Sequence, residues 1–330
     1  MIESRNRASS GVVLGLAAAL AFGAGGAFVK PLLEAGWSPG AAVLARISVA
    51  ALVLLYPALR ALRFDVRPLW RARWTVLIYA AVAVAGTQVA FYAAIARIPV
   101  GTALLIEYLA PIALVLLAWL RSRRVPQVVV LAGSVLALLG LVLVIGPAGG
   151  GLDVIGLLFA VLAMLGVAVY YVVGARVDDD VPPVALAGSG FVLGAMLLGL
   201  AGACGALPMS ADFGEVAFLG GQAPWFVPVL TVGVLSTAFA YVAGIAAIAR
   251  LGTRLASFLG LAEVVFAAIL SWMLLGESLS VPQLFGGALI LAGIVCVRLE
   301  RPETNRPGSV VGAAAMDEPV VPERPAPRRS

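Results

Sequence analysis

Few side chains in this chain can do chemistry, and those few lie where charge is expensive. Residues 100–120 form an apolar run whose one formal charge is Glu107, and Pro111 follows four residues later. A second acid, Glu263, and two cations, Arg46 and Lys30, sit in other apolar runs. A charge inside a bilayer costs at least about 2.5–3.5 kcal/mol on insertion scales, so it is kept only with a partner or beside water. A carboxylate there is suited to hold a proton or a cationic group. Its structural alternative is a pairing with Arg46 or a backbone donor. Arg46 offers a fork that fits a substrate carboxylate, or else pairs with Glu107. Lys30, near the end of its run, is expected to snorkel toward the interface. Pro111 lacks the amide that would bond the Glu107 carbonyl, so it weakens the helix at the acid. Broken backbone at that depth is tolerated where protein covers it or where it lines a cavity; a packing kink is the plainer alternative. Two matching polar sets, Thr87, Gln88 and Tyr92 and then Ser236, Thr237 and Tyr241, suit either a site or interhelical hydrogen bonds.

The elements that hold these residues must be membrane helices. The 330 residues are 62% hydrophobic and 12% charged, against about 45–50% and about 25% in soluble domains. Ten apolar runs reach the roughly 20 residues that a bilayer core requires: 11–33, 40–59, 74–95, 100–120, 127–146, 154–174, 184–205, 225–248, 255–275 and 282–298. They are too uniformly apolar for barrel strands, which alternate. The first run ends in small residues and resembles a cleavable signal peptide. It continues to Leu33, long enough to span, and is expected to remain as an uncleaved first helix. The connectors between spans carry Arg60, Arg63, Arg67, Arg71, Arg73, Arg121, Arg123, Arg124, Arg176, Arg250 and Arg254 on one side and Arg97 alone on the other. That asymmetry predicts both termini in the cytoplasm. The expected organisation is a cytoplasmic N-terminus (1–10), a first five-helix unit (11–146), a second (154–298) and a disordered cytoplasmic tail (299–330).

The two halves resemble each other. Residues 97–120, RIPVGTALLIEYLAPIALVLLAWL, align with 250–273, RLGTRLASFLGLAEVVFAAILSWM, at a shift of 153, with Arg97 on Arg250 and Trp119 on Trp272. The tripeptide VPQ recurs beyond each segment, at 125–127 and 281–283. A repeat of five helices has an odd number of crossings, so the second copy lies inverted in the membrane. Inverted repeats are a transport architecture, with the site near the midplane. By this reading Glu107 and Glu263 approach similar depth from opposite ends.

With these residues in place, the chain resembles the drug/metabolite transporter superfamily, specifically its EamA-type members. LLGESLSVPQLFGGALILAG (274–293) carries that likeness, and RIPVGTALLIEYLAP and LSTAFAY are similar to the threonine/homoserine exporter subgroup. The resemblance covers roughly residues 11–298. It implies a ten-helix inverted-repeat fold in the inner membrane and export of small metabolites against a proton gradient; the sequence has no ATP-binding segment, so the energy is expected to come from a gradient. It puts the family's fourth-helix Glu and Pro on Glu107 and Pro111 and its ninth-helix Glu on Glu263. Val264 stands where the family commonly has a proline, which removes the sequence reason for a symmetric pair of broken helices.

The leading expectation is therefore a secondary transporter of an amino acid or similar metabolite, with protons as coupling ion. Its candidate substrate- and proton-binding residues are Glu107, Glu263, Arg46, Pro111, Gln88, Tyr92 and Tyr241. Efflux of lipophilic cations is the alternative, which would need the acids but not Arg46. A non-transporting scaffold or sensor is the alternative of another class. An enzyme is not expected: the chain has no His, no phosphate-binding loop and no acids at metal spacing, and the run Asp178-Asp179-Asp180 reads as a solvated face. No cofactor, metal or nucleic-acid partner is expected, and a homodimer is left open.

Overall fold

The computed structural model describes residues 2–123, 126–145, 152–174 and 181–298. The tail, Arg124, Arg176 and the 178–180 acid run lie outside the described residues. The apolar runs form ten helices long and apolar enough to cross a membrane. These are Ser9–Glu34, Pro39–Ala61, Arg73–Ile95, Val100–Arg121, Val128–Ile145, Val154–Val173, Pro183–Ala203, Phe226–Gly252, Leu255–Leu275 and Val281–Arg298, here spans 1 to 10. Helices follow from the solvent: lipid offers backbone groups no partner, so each segment satisfies its own. The ten-helix expectation holds, with boundaries displaced by at most four residues. The largest displacement is in span 8, which continues past 248. It meets span 9 at a single non-helical residue, Gly252 (φ 78°, ψ 162°).

The packing repeats with the chain. Span 1 lies along spans 8 and 9, and span 6 lies along spans 3 and 4. Span 2 pairs with span 7, and span 5 with span 10. Adding five to each number, and subtracting ten where the sum exceeds ten, turns the first relation into the second and each pair into itself, as two five-helix repeats related by a pseudo-two-fold axis require.

Local irregularities repeat as well. Spans 3 and 8 each contain a π-helical stretch, Tyr79–Gly86 and Thr231–Phe239; moving the first by 153 residues gives 232–239. Spans 4 and 9 are both broken. Span 4 divides into Val100–Glu107 and Ala110–Ser122, and a new helix, Ala262–Leu275, starts in span 9 at Leu261. The same pair of three-residue bonds brackets each break. Leu109 N donates to Ile106 O at 3.0 Å and Ile112 N to Leu109 O at 2.9 Å, while Leu261 N donates to Phe258 O at 3.1 Å and Val264 N to Leu261 O at 3.3 Å. Pro111 sits in the first turn of its half-helix, where a missing amide costs nothing. Span 9 breaks without a proline, so the asymmetry read from Val264 does not hold at the backbone.

One element adds to the helices. Between spans 7 and 8 the chain makes a short antiparallel hairpin, β1 (Glu215–Phe218) and β2 (Gly221–Pro224). It turns at Leu219 and Gly220, both at positive φ (51° and 82°), as a tight hairpin turn demands. The preceding loop closes over the start of span 2. Trp37 Nε1 donates to Asp212 O at 2.6 Å, and Ser38 Oγ donates to Pro208 O at 2.8 Å while capping span 2 through Ala41 N. We call this the hairpin end and the opposite one the arginine end.

Spans 5 and 10 meet on glycine. A Cβ on Gly140 would lie 2.5 Å from Gly286 O and 2.9 Å from Ile290 N; one on Gly133 would lie 2.7 Å from Gly293 O. The obstructing atoms are backbone and cannot rotate away. Gly140→Ala and Gly133→Ala should each destabilise the fold by about 1–3 kcal/mol through overpacking. Gly199→Ala, with nothing within 4 Å of its Cβ position, should leave stability unchanged or raise it by up to about 1 kcal/mol. Thermal unfolding in detergent measures all three.

Candidate functional site

Arg46 is the buried charge around which the middle of the bundle is organised. It lies seven residues into span 2, about 10 Å from the hairpin end at 1.5 Å per residue, and is 8% exposed. Its Nε donates to Thr237 Oγ1 at 2.7 Å, and its Nη1 donates to Gln88 Oε1 at 2.7 Å and Tyr92 OH at 3.0 Å. The guanidinium also lies 5.6 Å from the centre of the Tyr92 ring. The partners come from both repeats. Thr87 and Thr237 each donate to the carbonyl five residues back, at 2.8 and 2.9 Å, the register that the π stretches create. The Thr237 proton is thereby committed, and its oxygen is free to accept from Arg46.

All three acceptors are neutral. The pairing of Arg46 with Glu107 is not formed: among the described residues the ion pairs are Lys30 with Glu277 and Arg67 with Asp65. Lys30 is therefore not a snorkelling cation, because a carboxylate of the second repeat engages it. Nη2 of Arg46 donates to no group among the described residues. No ion pair joins Glu107 or Glu263 to Arg46 among the described residues.

The two acids occupy different surroundings. Glu107 ends the half-helix Val100–Glu107, where the carbonyl end of the helix faces it. It is half-buried and accepts no hydrogen bond among the described residues. Glu263 lies in the first turn of Ala262–Leu275, the end of a helix that favours negative charge. Its Oε2 accepts from Tyr108 OH at 2.7 Å. The same hydroxyl is 3.1 Å from Gly260 O, the carbonyl that the span 9 break leaves without its helical partner. Tyr108 thus ties the break in one repeat to the break in the other.

Of the residues chosen from sequence, the structure brings Arg46, Gln88 and Tyr92 into one cluster and sets Glu107 and Glu263 beside the two breaks. Tyr241 is half-buried and packs edge-on against Phe22 and Phe191, with ring centres 5.2 and 5.1 Å apart. Tyr108 was missed. Its signal was its place, between Glu107 and Pro111 in IEYLAP, where a hydroxyl can reach groups that a broken helix frees.

The hairpin side of the broken helices is closely packed. Toward the hairpin end every residue from Val100 to Ile106 is buried, and this half-helix packs on Ala262–Leu275. Toward the arginine end Ala110–Ser122 packs on spans 6 and 10, and span 8 packs on span 1. Phe258, Leu259 and Gly260, on the approach to Glu263 from that end, are half-exposed. The arrangement places a guanidinium held by neutral acceptors in the same bundle as two carboxylates, one beside each helix break.

Comparison with known proteins agrees with this architecture. The EamA-like transporter family matches residues 9–146 and 154–299. The chain is 28% identical over 306 residues to the threonine/homoserine exporter RhtA of Escherichia coli (strain K12), covering 89% of this chain and 93% of that protein. It is 29% identical over 249 residues to an uncharacterised transporter of Archaeoglobus fulgidus, covering 76% of this chain and 85% of that one. A solved crystal structure superposes with a TM-score of 0.59 at 19% identity, over 87% of this chain and 96% of its own, which bears on the fold alone. With two matched repeats over most of its length, ten apolar helices and a buried polar centre, the chain is a multi-pass membrane protein that belongs to the EamA-like transporter family.

Proposed function

We propose that this transporter exports an amino acid or similar small zwitterion in exchange for protons. Arg46, positioned by Gln88, Tyr92 and Thr237, binds the substrate carboxylate, and Glu107 and Glu263 serve the ammonium group and the proton. Pro111 keeps span 4 open beside Glu107, and Tyr241 contributes an aromatic wall. The observation that carries this reading is Arg46: a buried guanidinium held entirely by neutral acceptors, with an Nη2 that has no hydrogen bond among the described residues. The relative named a threonine/homoserine exporter supports an amino acid with a small polar side chain. Arg60, Arg63, Arg67, Arg71, Arg73, Arg121, Arg123 and Arg250 gather at one end and Arg97 at the other. This supports cytoplasmic termini and an outward-facing hairpin.

The test is transport in liposomes with a trapped pH dye and opposing substrate gradients. Amino acids should drive a proton flux in the wild type, and Glu107→Gln and Glu263→Gln should each abolish it. Silence across the amino-acid panel would overturn the substrate class. Arg46→Gln separates the two transport readings. It should lower amino-acid transport at least about tenfold, the cost of a lost charge-assisted hydrogen bond. Lipophilic cations, if they are the substrates, should be moved at the wild-type rate. Tyr108→Phe should lower turnover by roughly fivefold, the worth of one hydrogen bond of about 1 kcal/mol, with the fold intact by thermal unfolding.

A further inference from the structure

The pairing of Lys30 with Glu277 has a use that a static tie does not require. Lys30 lies in the last two turns of span 1. Glu277 lies in the connector between spans 9 and 10, just past Gly276, which adopts a positive φ of 69°. One oxygen of Glu277 takes the Lys30 ammonium. The other accepts from Val100 N at 2.9 Å. Val100 starts the half-helix that ends at Glu107, and its preceding residue, Pro99, supplies no side-chain cap. Glu277 therefore satisfies an orphan amide at a helix N-terminus, where a carboxylate is also favoured by the dipole. One turn before Lys30, Gly26 lets the side chain of Val100 approach span 1 more closely than a Cβ would permit.

Three pieces meet at this carboxylate: span 1 and the Val100 half-helix from the first repeat, and the connector from the second. Both side chains are nearly buried, at 15% and 14% exposed. They lie at the hairpin end, the closed side of the site. The equivalent connector of the first repeat, at 121–124, reads Arg-Ser-Arg-Arg and has no acid to offer. The tie is one-sided, and the rod that starts at it ends at Glu107 about 10 Å away.

We propose that Lys30 and Glu277 are the latch of the hairpin-side gate. In the conformation described, Glu277 holds span 1 against the Val100 half-helix and closes the site on that side. Opening to the hairpin side requires Glu277 to release both partners, and the freed half-helix carries Glu107 with it. Lys30 and Glu277 are positioning residues that act through this half-helix and touch no substrate. The proposal rests on the transport reading only in assuming that the site opens to each side in turn.

The experiment reads accessibility and needs no substrate. In the full chain with Cys204→Ser and Cys296→Ser, reconstituted in liposomes, Thr102→Cys reports the hairpin side; Thr102 is fully buried on the Val100 half-helix. Phe258→Cys, in a separate background, reports the arginine side. Each is labelled with a membrane-impermeant maleimide from its own side. Lys30→Met and Glu277→Gln should speed labelling at 102 by about fivefold or more and slow it at 258, because a broken latch shifts the population toward the hairpin-open state. Lys30→Arg, which keeps the pair, should label as the parent does. Faster labelling at both positions would mean loosened structure, and unchanged labelling with a lower melting temperature would mean a static tie; either overturns the latch. Reciprocal labelling together with silence across the transport panel would uphold the latch and count against the substrate reading alone.

Discussion

A helix broken in the middle of a bilayer leaves carbonyls and amides that lipid will not bond, at a cost of several kcal/mol for each group left bare. This chain breaks two helices at that depth and brings the breaks together. The hydroxyl of Tyr108, at the first break, lies within hydrogen-bond distance of Gly260 O and Glu263 at the second. The other pairings follow from keeping those breaks apposed. Spans 1 and 6 each run beside the broken helix of the other repeat, and the glycine seam joins spans 5 and 10, two helices without a break.

How much of this was legible depended on whether its cause was local. Apolar runs of bilayer length gave the ten spans, and an unbroken order of Arg, span, Trp and VPQ gave the repeat. Pro111 announced its break because proline acts on its own helix. The break at Leu261 did not announce itself: no proline is present, and the carbonyl it frees has its compensating donor, Tyr108, far away in the sequence. Arg46 was legible as a buried charge, but its three partners, 42, 46 and 191 residues away, were not. Lys30 was misread for the same reason, because Glu277 lies 247 residues off. The hairpin was hidden by its size, since four-residue strands leave no periodicity to read.

The repeats share a path without sharing chemistry. At the shift of 153, Glu107 falls on Gly260 and Glu263 falls on Ala110. Each break thus carries one acid, on opposite sides of it: Glu107 at a helix C-terminus and Glu263 at an N-terminus. Two copies of one backbone give two conformations of similar energy. Residue differences at equivalent positions decide which is favoured, and the two ends differ as well as the middle. The hairpin end has the capped connectors and the Lys30–Glu277 pair, while the arginine end has cations without described acids beside them, apart from Asp65.

Charge balance narrows what such a centre accepts. Arg46 with one ionised glutamate is neutral, and a zwitterion adds no net charge to it, so binding needs no further ion in the low-dielectric interior. With both glutamates ionised the centre carries one negative charge, which a proton or a monocation restores to neutrality. The proposed exchange follows from these two states: the proton and the substrate ammonium both seek the carboxylates, while the guanidinium gives the zwitterion a second point of attachment that a proton does not use. A lipophilic monocation would compete for the acids alone and leave Arg46 with Thr237, Gln88 and Tyr92. In the proposed reading, the neutral cage around Arg46 is the feature that matches the centre to paired opposite charges.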